Sequence, residues 1–383
     1  MNFGTSVRRG VTAQVLGWLG LAALAQDLPP DPLLNESIAF FRNHRALPVD
    51  LETTVFRPEG AGPFPVVVIN HGKDMGNNRL QPRARYLPAT REFLQRGYAV
   101  VLPMRQGFSK SGGAAVGEGC NIGGNGEAQA EDVRSAVAWI EQQPWADTSR
   151  MVMLGQSHGG LTTLAYAQNP HPGFKLFVNF AGGLRYTNNC QWEQSLKVAF
   201  ERYGSRTQVP SLWFYGENDS YFPPAVVKPA FEAYRSSAAG QAELVAFGPF
   251  GRDAHFMFSS TAGVPIWWPH VQDRLEALGW PTAIAYPQYA PVKKLPVPPS
   301  TQFAPLDKVE AVPYLRVSGQ DGYRLFLDKP LPRAFAIAPN GAWGWATEGD
   351  DPLQRALDSC RRHAKGECKL YAVDKAVVWI PEQ

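Results

Sequence analysis

Residues 151–168 constrain this chain more than any other stretch. Met151-Val152-Met153-Leu154 is a short apolar run of strand type, Gly155-Gln156-Ser157-His158-Gly159 follows it, and a helix-forming segment begins near Gly160. A chain that passes from a buried strand into a helix over so few residues must turn sharply, and glycine on both sides of the serine removes the Cβ clash. The turn leaves Ser157 Oγ exposed above the sheet. The helix that follows points free N–H groups and the positive end of its dipole at the same spot, which favours an oxyanion there. The bare pentapeptide also occurs by chance in loops; its strand and helix flanks are what give it meaning.

The surrounding sequence supplies the sheet such a turn needs. From Glu52 to Gly279, strand-like and helix-like stretches alternate. Val66 to Asn70, Tyr98 to Pro103, Arg150 to Leu154, Lys175 to Phe180, Ser211 to Tyr215 and Ala242 to Phe247 are short apolar runs, typical of strands buried on both faces. Ala128 to Gln142, with Val133, Val137 and Ile140 at helical spacing, is the clearest helix; Leu161 to Gln168 and Ala225 to Arg235 are others. The pattern predicts an α/β fold with a mostly parallel sheet covered on both sides. Prolines 281, 287, 291, 296, 298 and 299 then mark a stiff linker over residues 281–300. Beyond it, strands at Ala334 to Ala338 and Lys369 to Val373 and a helix at Asp351 to Arg362 predict a small α+β module.

At 383 residues the chain suits one large domain plus a small one. Its 44% hydrophobic and 19% charged residues fit a globular core, and a net charge of +3 without a Lys/Arg run argues against a nucleic-acid partner. The glycine-rich stretch Gly112 to Gly126 lacks the phosphate-loop spacing and reads as a flexible rim loop after Arg105-Gln106-Gly107. Gly183 to Val209 is expected to form a small lid. No internal repeat is present.

Arg8 and Arg9, an apolar run from Val11 to Ala25, and Ala23-Leu24-Ala25 form a secretory signal pattern over 1–25, with Gln26 as the mature start. The alternative is a membrane anchor, but about 15 apolar residues fall short of the roughly 20 needed to span a bilayer. Arg8-Arg9 also invites a twin-arginine reading, which the following residues support weakly. Export to the periplasm or beyond allows disulfides. Four cysteines permit three pairings. Cys360 and Cys368 are neighbours in the tail, leaving Cys120 and Cys190, whose loops leave the same edge of a parallel sheet. No zinc spacing is present, and no metal or cofactor is called for.

A strand–serine–helix turn in such a sheet resembles the α/β-hydrolase fold, where the triad follows the chain order Ser, Asp or Glu, His. Asp219, in the turn Gly216-Glu217-Asn218-Asp219 after the Ser211 to Tyr215 strand, is the expected acid, with Glu217 as competitor. Seven histidines allow elimination. His44 and His171 come too early in the chain, His71 follows an early strand, His158 adjoins the serine, and His270 and His363 lie in a helix-like segment and the tail. His255, in the loop after the last strand, remains as general base. The oxyanion donors are expected to be the His158 amide and an amide of Asn70-His71-Gly72-Lys73, here assigned to Lys73.

Ile69-Asn70-His71-Gly72, Arg105-Gln106-Gly107-Phe108, Gly155 to Gly160, Gly216 to Asp219 and Asp253-Ala254-His255 together resemble the dienelactone-hydrolase-related branch of that superfamily, over roughly residues 60–280. Dienelactone hydrolases use a cysteine nucleophile, whereas position 157 is serine. The resemblance implies a hydrolase domain, bounded here at 26–280; the 281–300 linker and the disulfide-stapled module at 301–383, read from composition, lie outside it. It implies hydrolysis of small-molecule carboxylic esters through an acyl-enzyme, without stable membrane insertion of the mature chain. Gly-x-Ser-x-Gly-Gly also resembles the prolyl oligopeptidase catalytic domain. The propeller usual there has no room in the roughly 40 residues between Gln26 and the first buried strand. A third reading makes the hydrolase fold an inactive binding module, with Trp343, Trp345 and Trp379 either on a binding surface or in a core.

Overall fold

The computed structural model describes residues 29–117, 119–186, 190–239, 241–291, 295–329, 331–347 and 351–381. The expected signal segment 1–25 and the start at Gln26 lie outside them. Eight strands form one sheet: β1 (Glu36–Arg42), β2 (Asp50–Phe56), β3 (Phe64–Asn70), β4 (Ala99–Pro103), β5 (Ala146–Gln156), β6 (Phe174–Phe180), β7 (Ser211–Gly216) and β8 (Ala242–Phe247). Their order is β1-β2-β4-β3-β5-β6-β7-β8. The first two strands pair antiparallel, and every pair from β4 to β8 is parallel.

The apolar runs are continuous because both faces are covered. On β3, Val66 and Val68 join one core and Val67 and Ile69 the other. The first core is completed by α2 (Ile122–Ile140), α3 (His158–Tyr166), α4 (Trp192–Gly204) and α5 (Pro224–Ser237), through Val133, Leu161, Phe200 and Phe231. The second is completed by α1 (Leu87–Leu94) and α6 (Val264–Ala277), through Phe93 and Trp267. No helix among the described residues is long and apolar enough to cross a membrane.

The tail carries its own sheet. Helix α7 (Val317–Leu327), β9 (Arg333–Ile337), β10 (Trp343–Thr347), α8 (Pro352–Arg361), β11 (Lys369–Val373) and β12 (Ala376–Val377) build an antiparallel sheet ordered β10-β9-β11-β12. Trp379 is buried against Tyr371, and Trp343 stacks on Phe335 with ring centroids 5.8 Å apart. Trp345 packs partly buried on the same cluster, so the tail tryptophans serve mainly as core.

Three expectations change. The glycine-rich loop ends at Asn121, whose side chain accepts from Gly124 N and caps α2, so Gly123, Gly124 and Gly126 are helical. They lie under α4: Tyr203 Oη donates to Gly123 O at 2.7 Å. The expected lid contains α4 itself, with Leu196, Ala199, Phe200 and Tyr203 in the main core, so that segment is structural. The first half of the expected linker is a fastened strap. Gln95 O accepts from the Ala285 and Tyr286 amides at 2.8 Å, Tyr98 Oη donates to Pro281 O, and Tyr289 is buried beside α1.

Cys120 pairs with Cys190, joining the segment before α2 to the segment before α4, and Cys360 pairs with Cys368 across the α8–β11 turn. No free cysteine remains among the described residues.

Candidate active site

Strand β5 ends at Gln156, α3 begins at His158, and Ser157 between them has φ 55° and ψ −122°. A non-glycine residue with positive φ is strained, and such strain clusters at functional sites. The neighbours enforce it. A Cβ on Gly155 would stand 2.2 Å from Gly159 O, and one on Gly159 would stand 2.0 Å from Asn70 O, so only glycine fits at either position. The Ser157 amide donates to Phe180 O at 2.9 Å and its carbonyl accepts from Gly183 N at 3.0 Å, which fixes the turn to the end of β6.

Asp219 follows β7. Its Oδ1 accepts from the Tyr221 and Phe222 amides at 2.8 and 2.9 Å, and both carboxylate oxygens lie 3.2 Å from His255 Nδ1. The side chains of His255 and Asp219 are 4% and 0% exposed. Asp253 ties the two loops together, accepting from the His255 amide and from the Ser220 amide and hydroxyl. The Tyr221 ring lies 4.4 Å from the imidazole. Glu217 is exposed, so the alternative acid points to solvent rather than to His255.

Ser157 and His255 open on one cleft of about 630 Å³, walled by the 71–88 segment, Tyr221, Phe256, Ser259 and Arg355 of α8. No described residue of 183–209 lines it. Lys73 lies on the cleft wall, and the amides of Lys73 and His158 bond to no described residue. His71 and His158 sit beneath, fully buried, and desolvation holds both well below the usual imidazole range, with the nearby Arg105 charge adding to it. The other histidines lie elsewhere: His171 pairs with Glu141 and His270 with Glu243, and His44 and His363 are outside the cleft.

Two residues absent from the sequence-based site hold it together. Gln156 Nε2 donates to His255 O at 3.0 Å, and Gln156 Oε1 accepts from Tyr86 Oη at 3.1 Å. Tyr86 Oη in turn accepts from Gly72 N at 3.0 Å. Burial pushes the Tyr86 phenol up to about 12, so it stays protonated and can donate. Gln156 occupies a variable position of the pentapeptide, and Tyr86 belongs to no motif; only the three-dimensional contact reveals them.

The model of the X-Pro dipeptidyl-peptidase (S15) family matches residues 48–208. No curated protein sequence matches significantly. Among solved structures, an esterase of Pyrococcus furiosus is similar at 15% identity and TM-score 0.46, over 67% of this chain and 98% of its own. An acylaminoacyl peptidase of Pyrococcus horikoshii is similar at 16% identity and TM-score 0.47, over 63% of this chain and 41% of its own. The strand order and the strained serine between β5 and α3 give the chain an α/β-hydrolase fold, and the family match spans both elements.

Proposed function

We propose that the protein is a serine hydrolase that cleaves carboxylic esters through an acyl-enzyme, with Ser157 as nucleophile, His255 as base and Asp219 as its orienting acid. One observation carries the reading: a serine held at φ 55° opens on the same cleft as an imidazole whose Nδ1 is engaged by a buried carboxylate. That bond leaves Nε2 to take the Ser157 proton as Oγ attacks the ester carbonyl. The His158 and Lys73 amides receive the oxyanion. The imidazolium protonates the departing alcohol, and the neutral base then activates water against the acyl-enzyme. Asp219 stabilises the transient imidazolium.

The S15 match favours a second reading, release of dipeptides from peptide N-termini. That reaction must hold an ammonium group, which calls for carboxylates. Of the charged residues that line the cleft, Arg83 and Arg85 are ion-paired with Glu36; the others are Lys73, Arg355 and Asp74, the one carboxylate among its described residues, and desolvation raises the Asp74 pKa. This balance supports an ester over a peptide amine. Two disulfides and the leader pattern at 1–25 support export to the periplasm or beyond. The test is kcat/KM for an acyl p-nitrophenyl ester, the matching acyl anilide and an X-Pro anilide on the purified chain. The ester is expected to be cleaved far faster; an anilide turned over as fast as the best ester replaces the esterase reading with the peptidase one.

A further inference from the structure

Arg105 begins the Arg105-Gln106-Gly107 segment after β4, and the reaction above makes no use of it. Its side chain is fully buried. A buried guanidinium is costly unless paired, yet Arg105 forms no ion pair with a carboxylate among the described residues. Asp132 lies near enough to act on Arg105 electrostatically but makes no hydrogen bond or ion pair with it: Oδ1 accepts from Asn43 Nδ2 and Arg45 Nε, and Oδ2 from the Gln106 amide. Arg105 Nε donates instead to Gln129 Oε1 at 2.9 Å, Nη2 meets His158 Nδ1 at 3.4 Å, and Nη1 has no partner among the described residues. The Arg105 backbone N–H donates to His71 Nε2 at 3.1 Å.

One residue therefore touches both His71 and His158; the His158 amide is one proposed oxyanion donor, and Lys73, which carries the other, follows His71 by two residues. The bonds also fix their tautomers. A guanidinium only donates, so His158 Nδ1 accepts and its Nε2–H donates to Asn125 Oδ1 at 2.6 Å. A backbone N–H only donates, so His71 Nε2 accepts and its Nδ1–H donates to Gly72 O at 2.7 Å. The Phe108 ring lies against both imidazoles and 5.3 Å from the guanidinium carbon, which shields the group from water.

We propose that Arg105 is the positioning residue of the oxyanion site: it fastens His158 and the 71–73 loop from below, and its charge, which no carboxylate pairs directly, is answered further by the negative charge that develops on the substrate carbonyl oxygen. The proposal rests on the serine-hydrolase reading and adds a residue to it. A fixed, buried cation with no directly paired carboxylate gains a further counter-charge as the tetrahedral intermediate forms, so its effect falls on kcat rather than KM.

The experiment compares the full chain with Arg105→Met and Arg105→Lys on p-nitrophenyl butyrate and records 15N-histidine spectra of each. For Arg105→Met, kcat is expected to fall roughly 10- to 100-fold with KM changed less than about threefold, and Arg105→Lys to recover a large part of the loss. The wild-type spectrum is expected to place the proton of neutral His158 on Nε2 and that of neutral His71 on Nδ1. Arg105→Met should change the His158 signals and leave those of His71, whose bond comes from the backbone. A folded Arg105→Met enzyme with kcat near wild type, equal losses in the Met and Lys variants, or wild-type His158 protonated on Nδ1 overturns the proposal. The wild-type spectrum decides even where Arg105→Met does not fold. A wild-type chain that turns over no ester counts against the hydrolase reading instead, which separates the two failures.

Discussion

Gly159→Ala tests the proposed site through a single methyl group. The new Cβ would lie 2.0 Å from Asn70 O, 2.5 Å from Asn70 C and 2.6 Å from His71 O. A comfortable carbon–oxygen contact is roughly 3.3–3.6 Å, so α3 and the end of β3 must separate by about 1 Å or more. The obstructing atoms are backbone, and β3 is held between β4 and β5, so neither side yields easily. Overpacking of this kind costs about 1–3 kcal/mol, and at about 2–4 °C per kcal/mol for a large domain Tm should drop by about 2–12 °C. The same movement carries the His71 to Lys73 loop away from Ser157. A 1 Å misplacement near the chemistry can cost on the order of 10²-fold in rate. Thermal melting and kcat on p-nitrophenyl butyrate measure both effects. Gly248→Ala is the control, because a Cβ there meets nothing within 4 Å. A Gly159→Ala protein with the Tm and kcat of the control would refute the reasoning.

Asp219→Asn should leave the fold intact and lower kcat by about 10⁴, since the imidazole loses its tautomer and the charge that stabilises its cation; Glu217→Gln should match wild type in the same assay. Removing Cys120–Cys190, 70 residues apart, should cost about 4 kcal/mol, against about 2–3 kcal/mol for Cys360–Cys368, 8 apart, as read from urea melts of the paired Cys→Ser variants. His71 and His158 have lowered pKa values in the fold, so the unfolded chain binds more protons once pH falls below its ordinary histidine value. Stability should thus be full above about pH 6.5 and decline below it, approaching about 2.7 kcal/mol per pH unit for two protons, until the folded values are reached; a urea midpoint unchanged between pH 7.5 and 5.5 would contradict this.

The parallel core was legible because strands buried on both faces must be apolar throughout. The runs at Val66 to Asn70 and Ser211 to Tyr215 have few other readings, and β3 and β7 fall there. The first two strands were not legible. Strand β1 has a short apolar run, Ile38 to Phe41, but mixes buried, half-buried and exposed positions, and β2 buries Glu52, Thr53 and Thr54, so neither reads as a strand buried on both faces. Helix α4 read as a lid because Glu193, Lys197, Glu201 and Arg202 dilute its buried face of Leu196, Ala199, Phe200 and Tyr203. At the site, chain order and loop position single out Ser157, Asp219 and His255. Gln156, Tyr86 and Arg105 act through hydrogen bonds between segments distant in sequence, and no local spacing encodes such contacts. Arg355 of α8 on the cleft wall was equally hidden, since its place depends on how the tail lies against the main sheet.

The central claim is that Ser157 is the nucleophile, and covalent labelling with a fluorophosphonate followed by peptide mapping tests it most directly. One adduct per chain is expected, located on Ser157, and it should be lost in a folded Ser157→Ala protein. Absence of labelling in the wild type, an adduct on another serine, or stoichiometric labelling that persists in Ser157→Ala would contradict it.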